Sequence, residues 1–550
     1  VIETSGQVAR NLFTCFGSIF IFLLPAPQFC QNSQRRWRGS TAPRPSSLKP
    51  GVPMNRLVVV SNRVPAPSAG AQAGGLAVAL EGLMARRGGL WFGWSGNIST
   101  NARSISCHKR ADGKVDYVTC DLTEHDHERY YNRFSNGVLW PLLHTMPELI
   151  AYDRRDAQTY RDVNKHFAAR LAPLIRPNDI IWIHDYHLLA LPALLRAQGV
   201  HNPIGFFLHI PFASADVLSA APEMGALIKD MLSADLIGFQ TPADQENFAA
   251  AAQTLAGATY VPSLGLHLNG RRTRLGSFPV EIDPQEFAAT AAASWRGPAT
   301  ERLRRTLDGQ SLILGVDRLD PTKGLLERLA GVRRLFETHE KWRRRVTLLQ
   351  IAAVSRKDVA SYRDLRRTLD EQAGALNADW GEADWTPLRL VARAGAREIM
   401  AGYMRQARVG LVTPLRDGMN LVAKEFVAAQ DPQDPGVLIL SRFAGAARQL
   451  DGAILVNPHD PDEIADALDT ALDMSLATRQ ARWRSMWAAI EHTSALGWGR
   501  SFVGSLLRTP TPILTLGMSD KTQPNERVRL RAHSRPLDAV RALPEPRQLI

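Results

Sequence analysis

Two stretches of the 550-residue chain place charged side chains directly after apolar runs. SLILGV is followed by Asp317, Arg318, Asp320 and Lys323, with Gly324 opening a helix. Arg318 and Lys323 beside a helix N-terminus suit a diphosphate, because two cations and free amides stabilise an anionic leaving group. Salt bridges to Asp317 and Asp320 explain the same residues equally well. The second stretch, TPLRDGMNLVAKE at 413–425, exits VGLV and enters a helix. There the amides of Gly418, Met419, Asn420 and Leu421 would point outward, and Asp417 and Glu425 are able to accept hydrogen bonds from sugar or ribose hydroxyls. Glu425 shares a helical face with Leu421. A turn and cap account for Asp417 and Gly418 but leave Glu425 without a role.

The N-terminal half supplies counterparts. SNR ends an apolar run with Arg63, and the glycines of AGG at 73–75, Gly74 and Gly75 among them, allow backbone to approach a ligand closely. YYNRFSNGVLWP contributes Tyr131 and Trp140, and VSRKD contributes Arg356. Aromatic faces beside arginines suit a phosphorylated sugar, although a Trp before a proline is more often a core residue. His184 and His187 of IHDYH have a spacing sometimes seen at metals, but no Cys or third His stands near them, so a polar strand-end turn is the better reading. The chain has no GxxxxGK[ST], no GxGxxG after a strand, no GxSxG and no HExxH. These absences argue against a P-loop enzyme, a nicotinamide dehydrogenase, a serine hydrolase and a zinc protease.

The elements that must position these residues are short continuous apolar runs. They begin near residues 56, 179, 203, 235, 311, 345, 409, 436 and 453, with helix-like segments such as LLERLAGVRRLFETH between them. Continuous rather than alternating apolar character marks strands buried on both faces, as in parallel sheets covered by helices. The pattern is α/β, and its length implies two Rossmann-like, doubly wound domains facing across a cleft. FPVEIDPQEF, residues 278–287, marks the boundary. The expected partition is an N-terminal domain over 54–284, a C-terminal domain with terminal helices over 285–508, and a basic, disordered tail over 509–550.

Composition bounds the function. An apolar fraction of 45% with 22% charged residues fits a globular protein. The net charge of +12 sits mostly at the ends: residues 1–53 carry six basic side chains against one acid, and residues 509–550 carry seven against four. A nucleic-acid partner is therefore not indicated. Cys15, Cys30, Cys107 and Cys120 show neither CxxC pairing nor the density of a disulfide framework, which fits a reducing, cytoplasmic compartment. The apolar segment at 12–25 is too short to span a membrane and has one upstream Arg. With Met54 standing just before the first strand, residues 1–53 read as a non-native or disordered upstream extension, and an export or anchor signal is the alternative.

Taken in order, SNRVP with AGGLAVAL, GGLWFGWSG, YYNRFSNGVLWP, WIHDYHL, FFLHIPF, GFQT, DRLDPTKG and TPLRDGMNLVAKEF closely resemble the trehalose-6-phosphate synthases, glycosyltransferase family 20, over residues 54–500. The resemblance implies a GT-B fold and a retaining glycosyltransferase. Such an enzyme moves glucose from a nucleotide sugar, commonly UDP-glucose, to glucose 6-phosphate, with no metal and no cofactor. It implies that Arg318 and Lys323 neutralise the donor diphosphate. His209, Asp417, the amides of Gly418, Met419, Asn420 and Leu421, and Val422 would hold the donor, Glu425 its ribose, and Gly74 with Gly75 a loop closing over it. Arg63 and Arg356 would take the acceptor phosphate, with Tyr131 and Trp140 beside it and Asp185 on the acceptor hydroxyls. Arg318, Lys323, His209 and Asp185 are the implied catalytic set.

The chain departs from the family at Glu281, where a glycine is usual near the presumed cleft, at HIPFASADVL, and at RLVARAGARE, 389–398, where nucleotide-base contacts are expected. These departures leave the base preference and the acceptor open, and a homo-oligomer is compatible with the sequence without being indicated by it. The competing functions are a relative using another phosphorylated acceptor such as glycerol 3-phosphate or a cyclitol, a non-catalytic sugar-phosphate sensor, and a pyridoxal-phosphate phosphorylase of similar fold. No phosphatase motif DxDx[TV] follows.

Overall fold

The apolar runs become strands because parallel pairing satisfies their backbone while helices cover both faces. A computed structural model describes residues 55–64, 75–100, 105–109, 113–262, 264–356 and 358–508. The expectations for 1–53, for Gly74 and for the 509–550 tail lie outside the described residues.

The first sheet is built from β1 (Leu57–Arg63), β2 (Gly89–Ile98), β3 (Ile105–Lys109), β4 (Val115–Leu122), β5 (Ile180–His184), β6 (Ile204–Phe207), β7 (Leu236–Phe239), β8 (Thr259–Val261), β9 (Gly265–Leu268) and β10 (Arg271–Ser277). Its order is β3-β4-β2-β1-β5-β6-β7-β10-β9-β8. The central strands are parallel, and antiparallel pairs occur at the edges. The second sheet contains β11 (Ser311–Arg318), β12 (Val346–Ala353), β13 (Leu388–Val391), β14 (Val409–Val412), β15 (Val437–Ser441) and β16 (Ile454–Val456). It runs β13-β12-β11-β14-β15-β16 with every pairing parallel.

Both orders reverse beside the first strand of the sheet, between β1 and β5 and between β11 and β14. At such a switch point the connections leave toward opposite faces, and a crevice opens beyond the carboxyl ends of the strands. The residues singled out from sequence sit at these exits: Arg63 ends β1, Asp185 follows β5, Arg318 ends β11, and 413–420 follows β14.

Buried clusters cover both faces of each sheet. The terminal helix Ala495–Leu507, grouped by the sequence-based partition with the second half, packs against the first sheet: Trp498, Phe502, Val503 and Leu506 join Leu57, Val59, Trp182 and Phe207. Phe502 stacks on Trp182 with ring centroids 4.7 Å apart. Gly205 and Gly238 leave room for it, since a Cβ at either would come within 2.7 Å of that ring. His127–Leu139 winds as a π-helix, a form rare at this length and often found at functional sites.

Phe502→Ala deletes a fully buried ring from this contact and is expected to cost about 3–5 kcal/mol in urea unfolding. A loss below about 1 kcal/mol would mean that the helix is not docked as described.

Candidate active site

A cavity of about 650 Å³ lies between the two switch points. One wall is formed by the turn after β14. Asn420 takes a left-handed conformation (φ 75°), and its Oδ1 accepts from the Ala423 amide at 3.1 Å, capping the helix Leu421–Ala429. The Asn420 amide Nδ2 donates to Asp417 at 3.0 Å, and Lys323 Nζ donates to the same Asp417 oxygen at 2.5 Å. Among the described residues, the amides of Gly418, Met419, Asn420 and Leu421 meet no protein acceptor. Buried amides normally find one, so this turn offers a row of donors to a ligand. Gly418 is dictated by closeness of the two halves: a Cβ there would stand 2.3 Å from the His209 carbonyl oxygen.

Asp320 ties this wall to the first half. Fully buried, it accepts from the Thr322 amide at 3.1 Å, Trp140 Nε1 at 3.3 Å, the Tyr362 hydroxyl at 2.9 Å and Arg356 at 3.4 Å. Arg318 lies 3.4 Å from it. Arg356, itself at φ 47°, also donates to the Tyr186 hydroxyl at 2.9 Å and to Tyr362. Its guanidinium lies 4.0 Å above the Trp140 ring, and that of Arg318 lies 5.4 Å from the same ring. One carboxylate thus aligns two arginines on one indole.

The opposite wall carries Asn62 and Arg63 from the end of β1, and Asp185, Tyr186 and His187 beyond β5. Asp185 is held at φ 76° and accepts from the His209 amide at 3.3 Å. The His209 ring is turned to His184, with Nε2 3.0 Å from Nδ1.

The electrostatics separate the carboxyl groups. Burial alone would raise Asp320, but Arg318, Arg356 and Lys323 hold it well below the ordinary carboxylate range. Asp417 is likewise lowered: Lys323 and Asn420 outweigh its burial. Asp185 and Glu425 have weaker compensation, so desolvation raises Asp185 to about 6 and Glu425 to about 7. Burial lowers His209 to about 3, leaving it neutral at pH 7.

The structure brings most residues singled out from sequence into one cavity: Arg63, Trp140, Asp185, His209, Arg318, Lys323, Arg356, Asp417, Met419, Asn420, Leu421, Val422 and Glu425. Tyr131 contributes through His187, on whose ring it stacks at 5.7 Å, and Gly75 opens the helix Gly75–Arg87. The two readings of the DRLDPTKG stretch coexist. Arg318 is paired yet its side chain is 45% exposed, while Asp317 is matched by the buried Arg328 at 2.8 Å. Trp140 is likewise both core and cavity wall.

Glu281 does not line the cavity. Its carboxylate pairs with buried Lys424 at 2.6 Å and accepts from Gln449 at 2.9 Å. The segment near 393–400 lines a second cavity of about 480 Å³ with Leu349, Ile351 and Tyr403. Sequence reasoning gave no role to Asn62, Tyr186 and Gln240, which also line the first cavity, nor to Tyr362. The first three stand at strand exits in SNR, HDYH and GFQT, so a systematic reading of strand ends would have found them. Among the described residues, no group of three or more His, Cys, Asp or Glu side chains is placed to hold a metal ion, and no helix is long and apolar enough to cross a membrane.

With this geometry in hand, comparison with known proteins is specific. The sequence profile described as Glycosyltransferase family 20 matches residues 55–508. A trehalose-6-phosphate synthase of Sinorhizobium fredii is 45% identical over 456 residues, 82% of this chain and 98% of the relative. The crystal structure of a UDP-forming alpha,alpha-trehalose-phosphate synthase from Burkholderia xenovorans, in complex with glucose-6-phosphate, superposes with TM-score 0.79 at 45% identity, over 82% of this chain and all of that one. An E. coli structure bound with UDP-2-fluoro glucose matches with TM-score 0.79 at 42% identity, over 83% of this chain and 100% of that one.

Asp320→Asn removes the charge that aligns Arg318, Arg356 and Trp140. At pH 7 it is expected to cost about 3–5 kcal/mol, as when one partner of a buried ion pair is lost. A carboxylate lowered by folding contributes stability above its unfolded pKa, so the gap between wild type and variant should hold from pH 7 to 5 and shrink only below about pH 4. Equal unfolding midpoints at pH 7 would contradict this role.

Proposed function

The chain belongs to glycosyltransferase family 20, and on that premise we propose that it transfers glucose, with retention, from UDP-glucose to glucose 6-phosphate. The products are trehalose 6-phosphate and UDP. One observation carries the reading: a single cavity gathers four cationic side chains, Arg63, Arg318, Lys323 and Arg356, together with the free-amide turn and Asp185, and Arg318 and Arg356 share the Asp320 carboxylate between them. Arg318 with Lys323 suits a donor diphosphate, and Arg356 with Arg63 an acceptor phosphate. The ligands named for the B. xenovorans and E. coli structures, glucose-6-phosphate and UDP-2-fluoro glucose, support the same pair of substrates.

On this reading 285–508 is the donor domain and 54–284 the acceptor domain, except that the terminal helix packs on the latter. Arg318 and Lys323 take the charge that develops on the diphosphate as the bond from the sugar C1 to the phosphate oxygen breaks. Asp417 and the amides of Gly418 to Leu421 hold the glucose, with His209 opposite and Val422 along the donor's path. Glu425 takes the ribose, and the base lies toward the 389–398 stretch, whose Arg397 acts on Glu425 against its burial and pairs with Glu286 at 2.7 Å. Gly74 and Gly75 belong to the loop over the donor. The acceptor phosphate lies by Arg63 and Arg356, with Tyr131 and Trp140 as an aromatic wall and Asp185 orienting the hydroxyls. The acceptor oxygen joins C1 on the face the diphosphate leaves, and its proton passes to the leaving phosphate oxygen. No side chain forms a bond to the sugar, so the enzyme acts by orientation and charge. Buried, unpaired Cys120 and the phosphorylated substrates support a cytoplasmic site of action.

The test is nucleoside diphosphate release by the full-length protein with UDP-, GDP- and ADP-glucose, each with glucose 6-phosphate and with glycerol 3-phosphate. Release is expected with UDP-glucose and glucose 6-phosphate, and its absence with every donor would overturn the proposal. Arg318→Ala should lower kcat by about a hundredfold or more, because an oriented charge on the leaving group is lost. A near-normal kcat would displace Arg318 from the diphosphate.

Glu425 carries the pH dependence. Its ionised form accepts from both ribose hydroxyls, so kcat/KM for UDP-glucose should fall on the acid side with an apparent pKa of about 7. Glu425→Gln should lose that limb, and an unchanged limb would assign it to another group.

A further inference from the structure

His184, the last residue of β5, is fully buried and uses one ring nitrogen: Nδ1 lies 3.0 Å from His209 Nε2, with the rings stacked 5.3 Å apart. Trp182 and Trp498 flank the His184 ring at 4.5 and 6.4 Å. Among the described residues its Nε2 is buried with no partner, and so is the Nε1–H of Trp182, whose ring packs on it. His209 lines the cavity, and with Nε2 committed to His184 its Nδ1 is the nitrogen left for a ligand.

Burial keeps both rings neutral at pH 7, so each carries one proton, and a single contact joins them. Only two arrangements are available. If His209 donates, His184 must carry its proton on Nε2, leaving an orphaned N–H in addition to that of Trp182. If His184 Nδ1–H donates, the orphan is a lone pair instead. Buried N–H groups without acceptors are the rarer and costlier defect, so the arrangement that leaves only a ring lone pair is favoured. We infer that His184 is a positioning residue that donates from Nδ1 to His209 and thereby fixes His209 as its Nδ1–H tautomer, presenting a permanent hydrogen-bond donor to the sugar-nucleotide side of the cavity.

The consequence is directional. A neutral His free to exchange tautomers offers a donor part of the time, whereas this one always donates toward an oxygen of the bound substrate. The terminal helix takes part, since Trp498 packs on both histidines and its own Nε1 donates to the Phe278 carbonyl at 3.1 Å.

The direct test is the ¹H–¹⁵N long-range correlation spectrum of the histidine-labelled, full-length enzyme, with His209 assigned by its absence in His209→Gln. The Nδ1–H pattern is expected for His209, and an Nε2–H pattern would overturn the inference without any variant of His184. The kinetic arm rests on the glucosyltransferase reading. His184→Phe keeps a ring between the tryptophans but removes the donor, and should lower kcat about tenfold with KM for glucose 6-phosphate within about twofold. His184→Asn, whose amide supplies N–H near the same place, should restore at least about half of the wild-type kcat. Equal kcat for wild type and His184→Phe, with the His209 signal unchanged, would also overturn it. Inactivity of the wild-type enzyme with every donor would overturn the function, while its spectrum would still decide the tautomer.

Discussion

The site depends on one buried carboxylate. Asp320 has no access to water, and an isolated charge in such a place is too costly to persist unless cations and N–H or O–H donors surround it. The groups that surround it come from both halves: Trp140 from the first, and Arg318, Arg356, Tyr362 and the Thr322 amide from the second. Satisfying Asp320 therefore sets the distance between the two sheets at their exits. It also points two guanidinium groups at one aromatic face, so the charge that orders the interface also pre-orients the groups proposed to meet the phosphates.

Around this fixed point the cavity is left deliberately incomplete. The four amides of the turn after β14 meet no acceptor within the described residues, and the carboxyl groups of Asp185 and Glu425 are poorly compensated. Each is a small loss of stability that a sugar nucleotide or sugar phosphate would repair. Asp320, by contrast, is fully engaged, while Asp417 stands between the two groups: it is steadied by Lys323 and Asn420 through one of its oxygens and still lines the cavity. The carboxylates thus divide into those that hold the protein and those positioned to hold a substrate, a division produced by neighbouring cations rather than by residue type.

Much of this was legible in the chain. Buried parallel strands announce themselves as unbroken apolar runs, so most of the central strands were evident, and reading their polar exits located Arg318, Lys323, Asp417 and Glu425. β2 and β4 were harder: GLWFGWSGNI is broken by glycines and VDYVTCDL alternates with polar residues, so neither shows a continuous run. The π-helix has no periodic signature distinct from an α-helix. Glu281 illustrates another limit, because sequence shows a carboxylate near the boundary but not the buried Lys424, 143 positions away, that neutralises it. The return of the terminal helix to the first sheet is a long-range packing outcome, visible only once Phe502 meets Gly205 and Gly238.

The central claim is spatial: two anionic groups occupy one cavity at two places. A crystal structure of the protein with UDP and glucose 6-phosphate bound together measures this directly. The diphosphate should lie against Arg318, Lys323 and the amides of 418–421, and the sugar phosphate against Arg63 and Arg356. Density placing the sugar phosphate on Arg318 and Lys323, or either ligand outside the cavity, would contradict the account.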